Sequence, residues 1–226
     1  MKLKIVALVS GLLLTAGLSF GQRVRVVHAS PDAPAVDIYV DGQKAFQDLP
    51  FGEFTDYAEV GRGQHELAVY VARTDTAVLR TSAFIDSSTD YTVLATGFVG
   101  GTPALDLLIL TDRNNTQPPA MRAKVRVVHA APSAPEVDVY FTTPFAVLAR
   151  PALTSVPFGA ASSFLTVPTG MKNAQYQARV AVAGTQTVAI DSGRIVLPER
   201  SVRTYIALDP KEEGGSFQII ELLDRD

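Results

Sequence analysis

The 226-residue chain contains no cysteine and no tryptophan, and aromatic residues make up only 8% of it. Without cysteine there is no disulfide framework, no thiol nucleophile and no thiolate metal site. The lipid-bearing cysteine of a bacterial lipoprotein is missing too, so no lipid anchor is expected. Domains of ~100 residues bury enough apolar surface to fold without disulfides. A surplus of positive charge is also absent: 20 Lys and Arg face 23 Asp and Glu. Lys2 and Lys4 lie in the first 21 residues, which leaves 18 basic against 23 acidic residues and a charge of −5 for the remainder. No basic run supplies the footprint that a phosphate backbone requires, so nucleic acid is excluded as an expected partner.

Long hydrophobic runs are confined to the N-terminus. Lys2 and Lys4 precede an apolar stretch from Ile5 to Leu18, and Ser19-Phe20-Gly21 sets small residues before Gln22. This is the pattern of a cleaved signal peptide over residues 1–21, and the stretch is short of the ~20 residues that span a bilayer. The expected mature chain is therefore exported, periplasmic, cell-surface or extracellular, with no membrane span.

What the sequence does have is an internal repeat. Val24-Arg-Val-Val-His-Ala-Ser-Pro-Asp-Ala-Pro-Ala-Val-Asp-Ile-Tyr39 returns as Val125-Arg-Val-Val-His-Ala-Ala-Pro-Ser-Ala-Pro-Glu-Val-Asp-Val-Tyr140, 12 of 16 positions being identical at an offset of 101. Further correspondences are read at Pro50-Phe51-Gly52 with Pro157-Phe158-Gly159, Ile85-Asp86 with Ile190-Asp191, Tyr91 with Tyr205, and Leu110-Thr-Asp-Arg113 with Leu222-Leu-Asp-Arg225. Two modules of this size are too long for solenoid units and suit independently cored domains. The expected division is 22–112 for the first domain, 113–123 for a short polar, Pro-containing linker, and 124–226 for the second. Asn114-Asn115-Thr116 fits a glycosylation triplet, to which little weight is given.

Apolar residues alternate along short segments: Val24, Val26 and His28 against Arg25, Val27 and Ala29; Val36, Ile38 and Val40 against Asp37, Tyr39 and Asp41. Such alternation predicts strands with one buried face. Asp41-Gly42 is a hairpin signal, and Gly-rich or polar turns punctuate the rest. Strands are expected near 23–28, 36–40, 43–48, 54–60, 64–71, 78–85, 91–97 and 104–111, with no helical period anywhere in the mature chain. The predicted fold is all-β, two tandem immunoglobulin-like antiparallel β-sandwiches. Tyr91 and Tyr205 are read as possible tyrosine corners or as ordinary strand tyrosines.

The signature His-Ala-x-Pro-x-Ala-Pro-x-Val-Asp-x-Tyr, at 28–39 and 129–140, resembles the bacterial exported domain called domain of unknown function 4397, which often occurs in tandem behind a signal peptide. The resemblance implies a β-sandwich at or beyond the cell envelope and carries no activity, ligand or catalytic residue with it. The second copy departs from the first at Ala131 and Ser133, and has Thr142-Thr143-Pro144 where the first has Asp41-Gly42.

The repeated residues His28, Pro31, Pro34, Asp37, Tyr39, His129, Pro132, Pro135, Asp138 and Tyr140 are the candidate site. A metal or general-base role for His28 or His129 with Asp37 or Asp138 is conceivable. Each motif has one histidine, however, and His65 has no counterpart in the second copy, so a structural role closing a strand end is preferred. Asp37 and Asp138 are expected to pair with Arg25 and Arg126 across the sheet. The two prolines of each loop fix φ and withhold ladder donors, which stiffens it. Asp86-Ser-Ser-Thr-Asp90 lacks the carboxylate spacing of a calcium loop. The mature segment has no Gly-x-Ser-x-Gly elbow and no phosphate loop. No catalytic residue, metal or cofactor is assigned. The favoured function is a non-catalytic envelope or secreted module, structural or adhesive, whose end loops or edge strands bind a protein or glycan; scarce aromatic rings favour a protein partner or self-association over sugar. The alternative is a divergent hydrolase or metal-dependent enzyme built on His28 or His129 with nearby carboxylates.

Overall fold

The computed structural model describes residues 22–86, 89–112, 117–170 and 173–225. The expected signal peptide and the glycosylation triplet lie outside the described residues. The first half contributes β1 (Gln22–Ala29), β2 (Val36–Val40), β3 (Gln43–Leu49), β4 (Ala58–Val60), β5 (Gly63–Val71), β6 (Ala77–Ile85), β7 (Tyr91–Thr96) and β8 (Asp106–Thr111). The second contributes β9 (Arg122–His129), β10 (Val137–Thr142), β11 (Leu153–Val156), β12 (Leu165–Pro168), β13 (Asn173–Val182), β14 (Val188–Asp191), β15 (Ile195–Pro198), β16 (Val202–Leu208) and β17 (Gln218–Arg225). The chain is all-β among the described residues, and no helix is long and apolar enough to cross a membrane.

Each half forms two sheets. In the first, the inner sheet runs β4-β1-β7-β8 and the outer sheet β3-β2-β5-β6; in the second, the inner sheet runs β12-β9-β16-β17 and the outer β11-β10-β13-β14, with β15 also on β13. Pairing is antiparallel except at the centre of each inner sheet, where β1 lies parallel to β7 and β9 to β16. That parallel step follows from topology: the chain leaves β1, builds the outer sheet, adding β4 to the inner one on the way, and returns beside β1 in its original direction. Val26, Val36, Ile38, Leu49 and Val69 fill the space between the sheets of the first half, as Val127, Val137, Val139, Val180 and Ile190 do in the second.

One expectation is corrected here. The central strands of the inner sheets are buried on both faces, not one. Their second face forms a further apolar layer shared by the two halves: Val27, Ala29, Leu94 and Leu110 pack with Val128, Ala130, Ile206, Leu208 and Leu222. The members are matched in pairs, Val27 with Val128, Ala29 with Ala130, Leu94 with Ile206 and Leu110 with Leu222. Four sheets thus stack in the order outer, inner, inner, outer, and the repeat packs on itself like the two subunits of an isologous dimer joined in one chain.

The distant correspondences also shift. Val24 pairs with Tyr91, whereas its equivalent Val125 pairs with Arg203 and Val127 pairs with Tyr205. The structural counterpart of Tyr91 is therefore Arg203, and that of Tyr205 is Val93. Likewise Ile190 opposes Val180 as Leu79 opposes Val69, while the counterpart of Ile85 is Leu197. Loop insertions cause the drift, because Tyr39 and Tyr140 are 101 apart, Pro50 and Pro157 are 107 apart, and Val69 and Val180 are 111 apart. Tyr91 makes the corner contact, its hydroxyl accepting the Asp86 N–H at 3.1 Å. The Tyr205 phenol is instead pushed up by burial and by the Glu221 carboxylate.

Candidate functional site

The motif histidines end β1 and β9 on the face that looks toward the outer sheet. Each imidazole is fully buried, at 0% exposure for His28 and 1% for His129. Its Nε2 donates to a carbonyl at the end of the Pro-bracketed loop, Pro34 O at 2.9 Å or Pro135 O at 3.0 Å. Its Nδ1 faces the N–H of Ser30 or Ala131 at 3.4 Å. That geometry sets a neutral tautomer with both nitrogens engaged by backbone. Burial lowers the pKa of both rings, partly offset by the carbonyl contacts. Phe51 and Phe158 close each ring edge-on, with centroids 6.1 and 6.3 Å away.

Asp37 and Asp138 do not meet Arg25 and Arg126, so the expected cross-sheet pairs are corrected. They lie in the outer sheets, and the arginines point the other way, into the junction. Asp37 accepts the Asp48 N–H at 2.8 Å and the Lys44 ammonium at 2.6 Å. Asp138 accepts the N–H groups of Ser155 at 2.8 Å and Gly184 at 2.9 Å. Asp48 (φ 52°), Ser155 (φ 47°) and Gly184 (φ 72°) are all left-handed, so each carboxylate holds a turn whose backbone would otherwise relax. Although burial alone would raise it, the Asp37 carboxyl is held below the usual range by Lys44 and by the backbone N–H groups of Asp48 and Arg73. Tyr39 packs on Tyr70 with centroids 4.8 Å apart, and Tyr140 is buried with Leu148 and Ala181.

The residues that differ between the motif copies compensate one another. In the first half Ser30 Oγ donates to Gly97 O at 2.6 Å, and Asp32 accepts the Val99 N–H at 3.0 Å. In the second, Asp209 stands where the first has Gly97, and Ser133 Oγ donates to it at 2.7 Å. The carboxylate has changed sides of the same loop contact. Gly97 itself is required, for at φ 99° an added Cβ would lie 2.3 Å from Ala104 O.

At the junction the conserved pattern of the repeat becomes a reciprocal clasp, the arrangement that sequence reasoning missed. Arg25 Nε donates to Thr92 Oγ1 in its own half at 2.8 Å, while its Nη1 reaches Leu223 O at 3.1 Å and its Nη2 the Asp224 carboxylate, both in the other half. Arg126 repeats this with Thr204 Oγ1 at 3.0 Å, Thr111 O at 3.1 Å and Asp112 Oδ1 at 2.5 Å. Thr92 and Thr204 pass a hydrogen bond on to Asp112 at 2.8 Å and Asp224 at 2.7 Å. Tyr57 O–H also donates to Asp112 at 2.6 Å and lies under the Arg25 guanidinium, 4.7 Å from it; Phe164 underlies Arg126 at 4.8 Å. The four charged side chains are between 0 and 4% exposed. Burial raises the Asp224 pKa against the pull of Arg25, and burial with the Asp112 charge drives the Tyr57 phenol far up.

A groove of about 420 Å³ opens beside the clasp between Phe54–Tyr57 and the Arg203–Glu221 ion pair, itself 2.7 Å long. Arg25 forms its floor but is already engaged by four oxygen and ring contacts. Among the described residues no three His, Asp or Glu side chains converge as metal ligands.

Comparison with known proteins gives one family. The family described as domain of unknown function (DUF4397) matches residues 22–140, just over half of the chain, covering the first half and the second copy of the motif. No curated protein matches the sequence. Two solved structures are similar: a streptococcal virulence factor that binds α-glucan (TM-score 0.27, 8% identity, 88% of this chain and 95% of that one), and family 41 carbohydrate-binding modules from streptococcal virulence factors (TM-score 0.26, 9% identity, 82% and 93%). Superposition at that level transfers no ligand to this chain.

Proposed function

The chain belongs to the DUF4397 family, and from that premise we propose that it is a non-catalytic, exported binding module in which two β-sandwiches are locked into one rigid body. The repeated motif serves structure: its histidines and prolines fix the loop from inner to outer sheet, and its aspartates fix two turns. The observation that carries this reading is the full engagement of every motif group with chemistry to offer. Both nitrogens of His28 and His129 face backbone partners, and Asp37 and Asp138 accept backbone N–H groups. A general base needs a lone pair directed at substrate; the imidazole nitrogens are turned to backbone, and the two carboxylates are buried and turned onto their own turns.

A rigid exported body of this kind presents strand edges and end loops to another protein. The test has two arms. Purified chain is assayed on generic ester, phosphoester and glycoside substrates with and without added Zn²⁺ or Ca²⁺, beside the variant His28→Gln/His129→Gln with its fold checked by circular dichroism. No turnover above blank is expected. Turnover that disappears in the folded double variant would replace this reading with the enzyme. In the second arm, photo-crosslinking at the outer-sheet edges in intact cells is expected to give discrete protein adducts.

A further inference from the structure

The two halves differ most in what they put on their outer faces. Asp191 on β14 stands where the first half has Arg80 on β6, since each opposes the equivalent residue of the neighbouring strand, Arg179 or Ala68. Seven Asp and Glu residues lie between Asp37 and Arg80, and none between Asp138 and Asp191. The second half also carries an insertion here. The offset between the halves grows from 101 at Tyr39 and Tyr140 to 107 at Pro50 and Pro157, so the short Asp41-Gly42 turn is replaced by a loop over residues 143–152. That loop folds back over the outer face, where Leu148 packs with Tyr140 and Ala181. It holds Phe145 and Val147 out in water at 82% and 85% exposure, the highest of the large apolar side chains among the described residues. Phe145 has φ 62°, a left-handed conformation that costs a bulky residue energy and that no burial of its ring offsets.

The backbone of this tip is satisfied from within. Pro144 has no N–H. The Phe145 N–H donates to Gln177 Oε1 at 2.7 Å and the Ala146 N–H to Thr143 O at 3.3 Å. Arg179 Nη2 donates to Ala146 O at 2.6 Å, and Gln186 Nε2 to Leu148 O at 3.1 Å. Gln177 is itself buried, its amide N–H groups held by the Asp191 carboxylate at 2.7 and 2.9 Å. Internal partners for backbone groups are the condition for leaving water and entering lipid.

We infer that the 143–152 loop is a membrane-contact wedge: Phe145 and Val147 enter the headgroup region of a lipid bilayer, with Arg150 and Arg179 at its anionic surface. The inference rests on the binding-module reading and adds a lipid surface to what the module binds. Three features select lipid over protein. The tip is convex, and a fluid bilayer needs no matching pocket. Its backbone bonds named above are made without a partner, and no carboxylate interrupts the stretch. The carboxylates of the first outer sheet lie across three sheet spacings of about 10 Å each, well beyond a Debye length of about 8 Å, so they are screened from a bilayer at the tip. Two side chains without a lipid anchor make a reversible contact.

Because the chain has no tryptophan, Phe145→Trp places a single reporter at the tip and Phe84→Trp places one at an exposed position on the opposite outer sheet. With vesicles of about 3:1 phosphatidylethanolamine to phosphatidylglycerol, the emission of Phe145→Trp should shift to the blue and that of Phe84→Trp should not. In flotation of the full mature chain with the same vesicles, Phe145→Ser/Val147→Ser should weaken partitioning roughly 10- to 100-fold, its fold checked by circular dichroism. These results together support the inference. No shift in Phe145→Trp, equal shifts in both reporters, or a serine variant that floats like the parent overturns it. Protein adducts in cells without vesicle binding would discard the bilayer while leaving the binding module standing, whereas turnover lost in folded His28→Gln/His129→Gln would remove the module reading itself.

Discussion

Replacing Arg25 by methionine tests the clasp at its most buried point. The substitution keeps most of the side-chain volume but leaves Asp224, fully buried at its side chain, without its guanidinium partner. Thr204 still donates to the carboxylate, but the charge of the nearest guanidinium is gone, and Leu223 O loses the Arg25 donor. Breaking a buried pair from one side costs about 3–5 kcal/mol, because a charge is stranded in the interior. With a urea slope of roughly 2–3 kcal/mol per molar for a chain of this size, the unfolding midpoint should fall by about 1–2 M. The chain lacks tryptophan, so far-UV circular dichroism is the suitable signal. The second variant, Arg25→Met/Asp224→Leu, removes both charges and should recover most of the loss, since apolar replacement of a buried pair is often neutral. A single variant within about 1 kcal/mol of the parent, or a double variant as unstable as the single, would refute the clasp as described.

Lowering the pH should destabilise the protein from about 6.5 downward, the ordinary histidine value. His28 and His129 have folded pKa values below that of the unfolded chain, so as pH falls the unfolded state binds protons first. Their stabilisation is complete above 6.5 and is lost toward the folded pKa, at up to about 1.4 kcal/mol per histidine per pH unit; His28→Gln/His129→Gln should flatten that slope, and an unchanged slope would show the rings are not buried neutral. Tyr57→Phe removes the 2.6 Å hydrogen bond to Asp112 and should cost about 1.5–3 kcal/mol, while in the parent the phenols of Tyr57 and Tyr205 should ionise in alkaline spectrophotometric titration only on unfolding. Gly97→Ala should lower the melting temperature by several degrees, roughly 4 °C or more, through the clash with Ala104 O; a neutral result would mean that loop is free to move.

Strand positions were legible because period two and turn chemistry are local. The expected spans for β1 to β3 and β5 to β8 agree with the structure within about two residues, and only the stretch 54–60 shrinks, to Ala58–Val60. The shared layer was half visible. Val26-Val27, Val93-Leu94-Ala95 and Ile206-Ala207-Leu208 are continuous apolar runs, which mark strands covered on both faces. Alternation around Val24, Val26 and His28 hid this, since it describes one face and is silent about what covers the other.

The clasp was not legible in the same way. Both of its halves stood in the repeat, Arg25 and Arg126 at one end, Asp112 and Asp224 at the other, yet Arg25 reaches Asp224 across 199 residues and Arg126 reaches Asp112 across 14. Nothing periodic links such separations. The motif carboxylate Asp37 was the wrong partner because the chain has crossed from the inner sheet to the outer sheet before Asp37 is reached, on β2, and β1 directs Arg25 to the opposite face.

The central claim is that the two halves are one rigid body. Spin labels at Gln64→Cys and Gln175→Cys would measure it, both positions being exposed and equivalent on β5 and β13, in a chain with no other cysteine to label. Double electron–electron resonance should return a single narrow distance distribution that broadens in Arg25→Met. A broad or multiple distribution in the parent protein, as two sandwiches on a loose tether would give, contradicts the account.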